Sequence, residues 1–263
     1  MRQNSANFAK KFSTVGGSTS NMIVSVKKKT ILMAAAVFLC IATFVVVVSL
    51  SSVSASGGVK NGKVIVIDAG HGGIDGGVTG TSTGVKESDI NLAIARSLKH
   101  FLTSKGYEVV MTRSSTDGLY GMATKNRKLK DMEERKRIIN EAHPDLVVSI
   151  HQNSYPRSNE KGAQVFYAPK SEEGKRISDI MQSTLNASLN SSRTSKQGDY
   201  FILQCSEYPS MLVECGFLST AEEEKMLISA TYQEKVAYSI YTGIHSILQS
   251  AEVAPTDTAE GAL

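Results

Sequence analysis

Four β-branched residues in succession, Val64 to Ile67, run directly into Asp-Ala-Gly-His-Gly-Gly at 68–73 and Ile-Asp-Gly-Gly at 74–77. Such a run reads as a strand buried on both faces, as in a parallel sheet, rather than a strand with one wet side. The glycines after it let the chain turn where a Cβ would clash. That turn carries Asp68, His71 and Asp75. In open α/β sheets ligands bind in the crevice beyond the carboxyl ends of the strands, which makes His71 the first candidate for chemistry. The competing reading is a solvated histidine in a tight glycine turn, and other parts of the chain must decide between the two.

From Lys60 to Gln249 buried strands alternate with amphipathic helices. Ser88 to Lys105 places Ile90, Ile94, Leu98, Phe101 and Leu102 on one face, with Gly106 where a helix-terminating glycine belongs. Strands follow at Tyr107 to Met111, Asp145 to Ile150 and Gly162 to Tyr167. Helices are expected from about Asp131 to Ala142, from Glu172 to Leu189 and from Thr231 to Leu248. Arg113 to Lys130 and the Ser-rich Asn190 to Gly198 read as loops, and Tyr200 to Cys205 pairs with Met211 to Glu214 as a hairpin about Pro209. This alternation predicts a single α/β domain of three layers, residues 61–249, in which helices cover both faces of a twisted, mostly parallel sheet.

Upstream the chain changes character. Residues 1–29 form a polar region ending in Lys27, Lys28 and Lys29, and no charge follows until Lys60. Ile31 to Leu50 is nearly all apolar, long enough to span a bilayer and basic on one flank only, so segment 30–50 reads as a signal-peptide core or a transmembrane anchor with the domain exported. Residues 51–60 are a linker in which Val53-Ser54-Ala55 offers a cleavage site, and a start at Met22 would make the whole an ordinary signal peptide. Residues 250–263 read as a disordered tail.

Charge follows this division. Six of the 29 Lys and Arg precede residue 56 and all 25 acids follow it, leaving the exported part with 23 cations, about −2 in all. A folded domain without a basic surplus argues against nucleic acid as a partner. Of the three cysteines Cys40 lies in the apolar segment. Cys205 and Cys215 are offset in the expected hairpin beyond the roughly 4.4–6.8 Å Cα separation of a disulfide, which predicts two free thiols.

Polar groups terminate or adjoin these strands: His71, His151 after Leu146 to Ile150, Glu214 after Met211 to Val213, and Glu87 at the start of the first helix. In a parallel sheet the carboxyl ends open on one side, so the four can meet. Two imidazoles and one carboxylate make a catalytic zinc set, with the other carboxylate free to move a proton. Glu87 taken alone reads rather as a complement to the helix dipole. Glu214, flanked by Leu212, Val213, Cys215 and Phe217, is harder to explain without a function because a buried unpaired charge is costly. His100, His143 and His245 lack this context and read as surface or packing residues.

These segments together resemble the zinc-dependent N-acetylmuramoyl-L-alanine amidases of the amidase-3 type. The matches are V-I-V-I-D-A-G-H-G-G at Val64 to Gly73, K-E-S-D-I-N-L at Lys86 to Leu92, T-R at Thr112 and Arg113, Arg135 within M-E-E-R-K-R-I-I-N, D-L-V-V-S-I-H-Q-N at Asp145 to Asn153, and M-L-V-E-C-G-F-L-S at Met211 to Ser219. The resemblance implies that His71, Glu87 and His151 bind one Zn²⁺ per chain and that Glu214 is the catalytic carboxylate. The substrate it implies is the amide between N-acetylmuramic acid and L-alanine in peptidoglycan. Arg113, Arg135 and Asn153 match positions near the site, with orienting or substrate-binding roles.

Two positions depart from the family pattern: Gln152, where Ala is common, and Cys215, where Val or Leu is common. The absence of wall-binding repeats and G-A-Q-V-F-Y at Gly162 to Tyr167 are most similar to the germination-specific subgroup acting on spore cortex, and an accessory protein assisting zinc retention is compatible with three protein ligands. Two other readings are another zinc hydrolase of the wall, such as a carboxypeptidase or deacetylase, and an inactive peptidoglycan- or partner-binding protein.

Overall fold

Val64–Ala69, the β-branched run, forms β1 and lies second from one edge of a six-stranded sheet. The computed structural model describes residues 62–156 and 159–252. The basic N-terminal region, the apolar segment 30–50, the linker 51–60 and most of the tail 250–263 lie outside the described residues. Among the described residues no helix is long and apolar enough to cross a membrane.

The other elements, in chain order, are α1 (Glu87–Ser104), β2 (Glu108–Met111), α2 (Arg127–Ala142), β3 (Leu146–Asn153), β4 (Gln164–Tyr167), α3 (Glu172–Leu189), β5 (Lys196–Gln197), the single turn α4 (Phe201–Gln204), β6 (Ser210–Phe217), α5 (Ala221–Leu227) and α6 (Ala230–Glu252). The strand order is β2-β1-β3-β6-β4-β5. β1, β2, β3 and β6 pair in parallel, β4 runs antiparallel to β6, and β5 runs parallel to β4, so the sheet is mixed.

Alternation along the strands divides the core. Ile65, Ile67 and Ala69 of β1, Leu146, Val148 and Ile150 of β3, and Met211, Val213 and Cys215 of β6 face α1, α3 and α6. Val66, Val147 and Leu212 face the other way, with Ile139 of α2 and Ile202 and Leu203 of α4. Each such side chain contributes about 1.5–3 kcal/mol on burial. On the second face the next positions toward the strand ends are Asp68, Ser149, His151 and Glu214. Asp68 is the register partner of Ser149, and His151 that of Glu214.

Local signals place the helices. α1 buries Ile90, Ile94, Leu98 and Leu102 at four-residue spacing. It ends at Gly106, whose φ of +83° brings its N–H onto the Thr103 carbonyl. Ser171 caps α3 by accepting the Gly174 N–H at 2.9 Å.

Several expectations need correction. Phe201–Gln204 is a helical turn rather than a strand, so there is no hairpin about Pro209; Ile202 and Leu203 instead plug the second face of the sheet. The cysteines are nevertheless free and buried. The loop after α3 contains β5, α2 begins at Arg127 rather than Asp131, α6 extends to Glu252, and α5 was not anticipated.

Candidate metal centre

The loop after β1 is held from beneath by two buried arginines. Arg113 Nε donates to the Ala69 carbonyl at 2.8 Å, and its Nη2 reaches the carbonyls of Gly70 and Ser88 at 2.9 and 2.8 Å. Arg135 donates to the carbonyls of Ala69 and His71 at 2.9 and 2.7 Å, and pairs with Asp68 at 2.5 Å and Asp131 at 2.6 Å. Asp68 also accepts from Thr112 and Ser149. Burial opposes ionisation of Asp68, but Arg135 and these hydroxyls outweigh it and hold its pKa at about 2. This framework keeps His71 in a left-handed backbone conformation, φ +61°, a conformation seldom adopted without glycine and maintained only where surroundings over-determine it.

His71 from the loop, Glu87 from the first residue of α1 and His151 from β3 meet above this frame. Each offers one donor atom within 4.8 Å of the others. Glu87 Oε1 lies 2.9 Å from His151 Nδ1 and 3.4 Å from His71 Nε2, and the imidazoles stand edge to face with centroids 5.0 Å apart. His71 Nδ1 is 2.9 Å from Asp75, which orients the ring so that Nε2 points at Glu87. Two glycines make the room. A Cβ on Gly70 would stand 2.3 Å from Cε1 and Nε2 of His151, and one on Gly77 would stand 2.4 Å from Glu87 Oε2.

The donor set attracts positive charge. Burial works against a charged His71, yet hydrogen bonding and charge from Glu87, with help from Asp75, raise its pKa to about 9. Burial likewise opposes ionised Glu87, and the two histidines still drive it far below the usual carboxylate range. Two imidazoles and an ionised carboxylate gathered in this way fit a metal ion of the borderline class.

Glu214 sits directly across from His151 on β6 and is buried, with Oε2 lacking a hydrogen-bond partner. Burial raises its pKa to about 7, the charge of Glu87 adds to this, and the two histidines oppose it. A carboxyl group poised near neutrality beside a metal-type donor set is suited to accept and release a proton. The site opens into a cleft of about 750 Å³ whose walls include Leu129, Met132, Asn153, Tyr200 and Ile202.

The four residues singled out from the sequence therefore meet. His151 and Glu214 lie within β3 and β6 rather than beyond their ends. Arg113 and Arg135 are buried under the loop, bound to its carbonyls, whereas Asn153 lines the cleft. His143 and His245 make side-chain contacts with Tyr208 and Tyr107 away from the site. Sequence reasoning missed Asp131, whose signal was its place four residues before Arg135 on one helix face. It also missed the aromatic and apolar wall from Tyr200 to Ile202, which had been read as strand.

An α/β domain with two histidines and a carboxylate within reach of one ion, and a second, desolvated carboxylate at their side, has the site architecture of a metal-dependent hydrolase. The Amidase_3 family model, N-acetylmuramoyl-L-alanine amidase, matches residues 65–246, and the chain belongs to that family. It is 38% identical over 189 residues to the germination-specific N-acetylmuramoyl-L-alanine amidase of Bacillus subtilis, covering 70% of this chain and 79% of that one. The CwlD amidase of Clostridioides difficile, solved in complex with the GerS lipoprotein, is similar with a TM-score of 0.69 and 37% identity, over 72% of this chain and 99% of that one. An N-acetylmuramoyl-L-alanine amidase from Clostridium difficile 630 superposes with a TM-score of 0.65 at 30% identity, over 72% of this chain and 97% of that one.

Proposed function

We propose that this amidase is zinc-dependent, with His71, Glu87 and His151 holding one Zn²⁺ and Glu214 as the catalytic carboxylate. Its substrate is the peptidoglycan amide between the lactyl group of N-acetylmuramic acid and the L-alanine of the stem peptide. The observation that carries this reading is the unpartnered, buried Oε2 of Glu214 beside three converged metal donors. A pure binding protein has no use for that combination.

Zn²⁺ bound to these donors supplies Lewis acidity that acidifies water and polarises the scissile carbonyl. Glu214 would accept the proton of the attacking water and deliver it to the leaving amine of L-alanine, a role that its burial beside the three donors supports. Asp75 and Glu87 fix the His71 ring, Arg113 and Arg135 fix the loop that carries it, and Asn153 at the cleft wall orients the substrate.

The germination-specific relative and the likeness to CwlD support a role in spore cortex, where removal of stem peptides allows muramic lactam to form, and support a lipoprotein as accessory partner. The apolar segment and its basic flank support export of the domain, 61–249, across the cytoplasmic membrane, either anchored or cleaved. Metal analysis of the purified protein together with mass spectrometry of digested muropeptides tests this reading. Zinc at one per chain and new L-alanine amino termini are expected; loss of D-alanine or acetyl instead would assign the chemistry to another bond.

A further inference from the structure

Gln152 is an anomaly in β3. It follows His151, so its side chain lies on the opposite face of the sheet, the one that Leu146, Val148 and Ile150 share with α1. Both Gln152 and Asn91, one turn after Glu87 on α1, are buried there, the latter fully. Burying two amides among aliphatic side chains is unfavourable unless their hydrogen bonds are made, so what they bond to defines their purpose.

They bond to the site. Asn91 Nδ2 donates to the Gly70 carbonyl at 3.1 Å and to Glu87 Oε1 at 3.2 Å. Since both of those partners only accept, the Asn91 amide has one possible orientation, with Oδ1 pointing away and in need of a donor. Gln152 Nε2 supplies it at 3.1 Å. The backbone N–H of Gln152 donates to the same Glu87 Oε1 at 3.1 Å, and Val78 N–H holds Oε2 at 2.9 Å. The far end of the relay, Gln152 Oε1, is buried without a hydrogen-bond partner, with the Cys215 thiol beside the same amide.

Glu87 needs such restraint. It is the first residue of a helix whose N-cap, Lys86, makes no side-chain cap, and a carboxylate there is drawn toward the free N–H groups of the first turn. The Asn91 amide and the Gln152 backbone N–H on Oε1, with the Val78 N–H on Oε2, instead hold Oε1 toward both imidazoles.

We infer that Asn91 and Gln152 are positioning residues for Glu87, forming a buried amide relay that presets the carboxylate of the metal centre. This rests on the zinc reading of the site. The relay also ties the Glu87 carboxylate to the Gly70 carbonyl, and so to the loop that carries His71. Gln152 and Cys215, on neighbouring strands, lie side by side at its end.

The test is zinc affinity of the full-length protein, measured by competition with a chromophoric chelator, with circular dichroism confirming the fold. Asn91→Ala should weaken zinc binding about 10- to 100-fold, the usual cost of losing a group that orients a ligand. Gln152→Met, which keeps volume but removes the amide, should give a smaller loss in the same direction and guards against a failure of Asn91→Ala to fold. In a Glu87→Gln background, already weakened, Asn91→Ala should cost much less than in the wild type, leaving only its hold on the Gly70 carbonyl. Variants that melt earlier but bind zinc as tightly as the wild type would overturn the inference and leave the zinc reading intact. A wild-type protein that takes up no zinc would overturn both.

Discussion

Replacing Glu214 by glutamine separates the cost of burying this carboxylate from its proposed catalytic use. In the metal-free protein, burial lifts the Glu214 pKa from 4.5 to about 7. At about 1.36 kcal/mol per unit the ionised group is disfavoured by about 3 kcal/mol, with no discount for solvent because the side chain is buried. A raised folded pKa means that this stability is fully present below 4.5 and is lost as pH rises through about 7. Glutamine keeps the shape and cannot ionise. Chelator-treated wild type and Glu214→Gln should therefore melt together at about pH 4 and diverge at about pH 8.5, with the variant higher by about 6–12 °C for a domain of this size. Turnover of the metal-loaded variant should be lost at both pH values. A melting difference that does not change with pH, or a wild type that gains on the variant as pH rises, would refute the assignment of Glu214 as a desolvated acid.

Arg135→Met should cost about 3–5 kcal/mol in urea unfolding, because it strands two buried carboxylates, Asp68 and Asp131. Adding Asp68→Asn should recover part of that loss, and strictly additive losses would remove the coupling. Gly70→Ala places a methyl 2.3 Å from the His151 ring, so zinc content should fall while far-UV circular dichroism is kept; a fully loaded variant would show that the ring has room to move. His71→Ala should lose zinc, whereas Glu214→Ala should retain it and lose turnover, as metal analysis with muropeptide digestion would reveal. Removing metal with a chelator should abolish turnover and leave the melting transition cooperative, since the apolar core lies beneath the site rather than within it.

The parts of this molecule legible in the sequence are those governed by local pattern. Val64 to Ile67 announced a central strand, the four-residue spacing from Ile90 announced α1, and Gly106 its end. His71, Glu87, His151 and Glu214 could be gathered because a parallel sheet places its strand ends on one side. What escaped depended on tertiary partners. Tyr200 to Cys205 has strand-like composition, and as a helical turn it packs Ile202 and Leu203 over Val66, Val147 and Leu212, which are buried beneath it. The antiparallel direction of β4 could not be read because the strand is four residues long and β5, its partner, is two. Gln152 and Asn91 looked like ordinary polar residues; only the register of β3 against α1 brings them together.

The three donors are 16 and 64 residues apart in the chain, on a loop, a helix and an interior strand. No short peptide fragment of this protein carries the whole set, unlike a zinc finger, whose ligands lie close together in the chain. On the zinc reading, capture requires the long-range pairing of β1 with β3, and a bound ion would serve as a receipt for that assembly. A chain not yet folded would therefore stay silent, because its three donors are still apart.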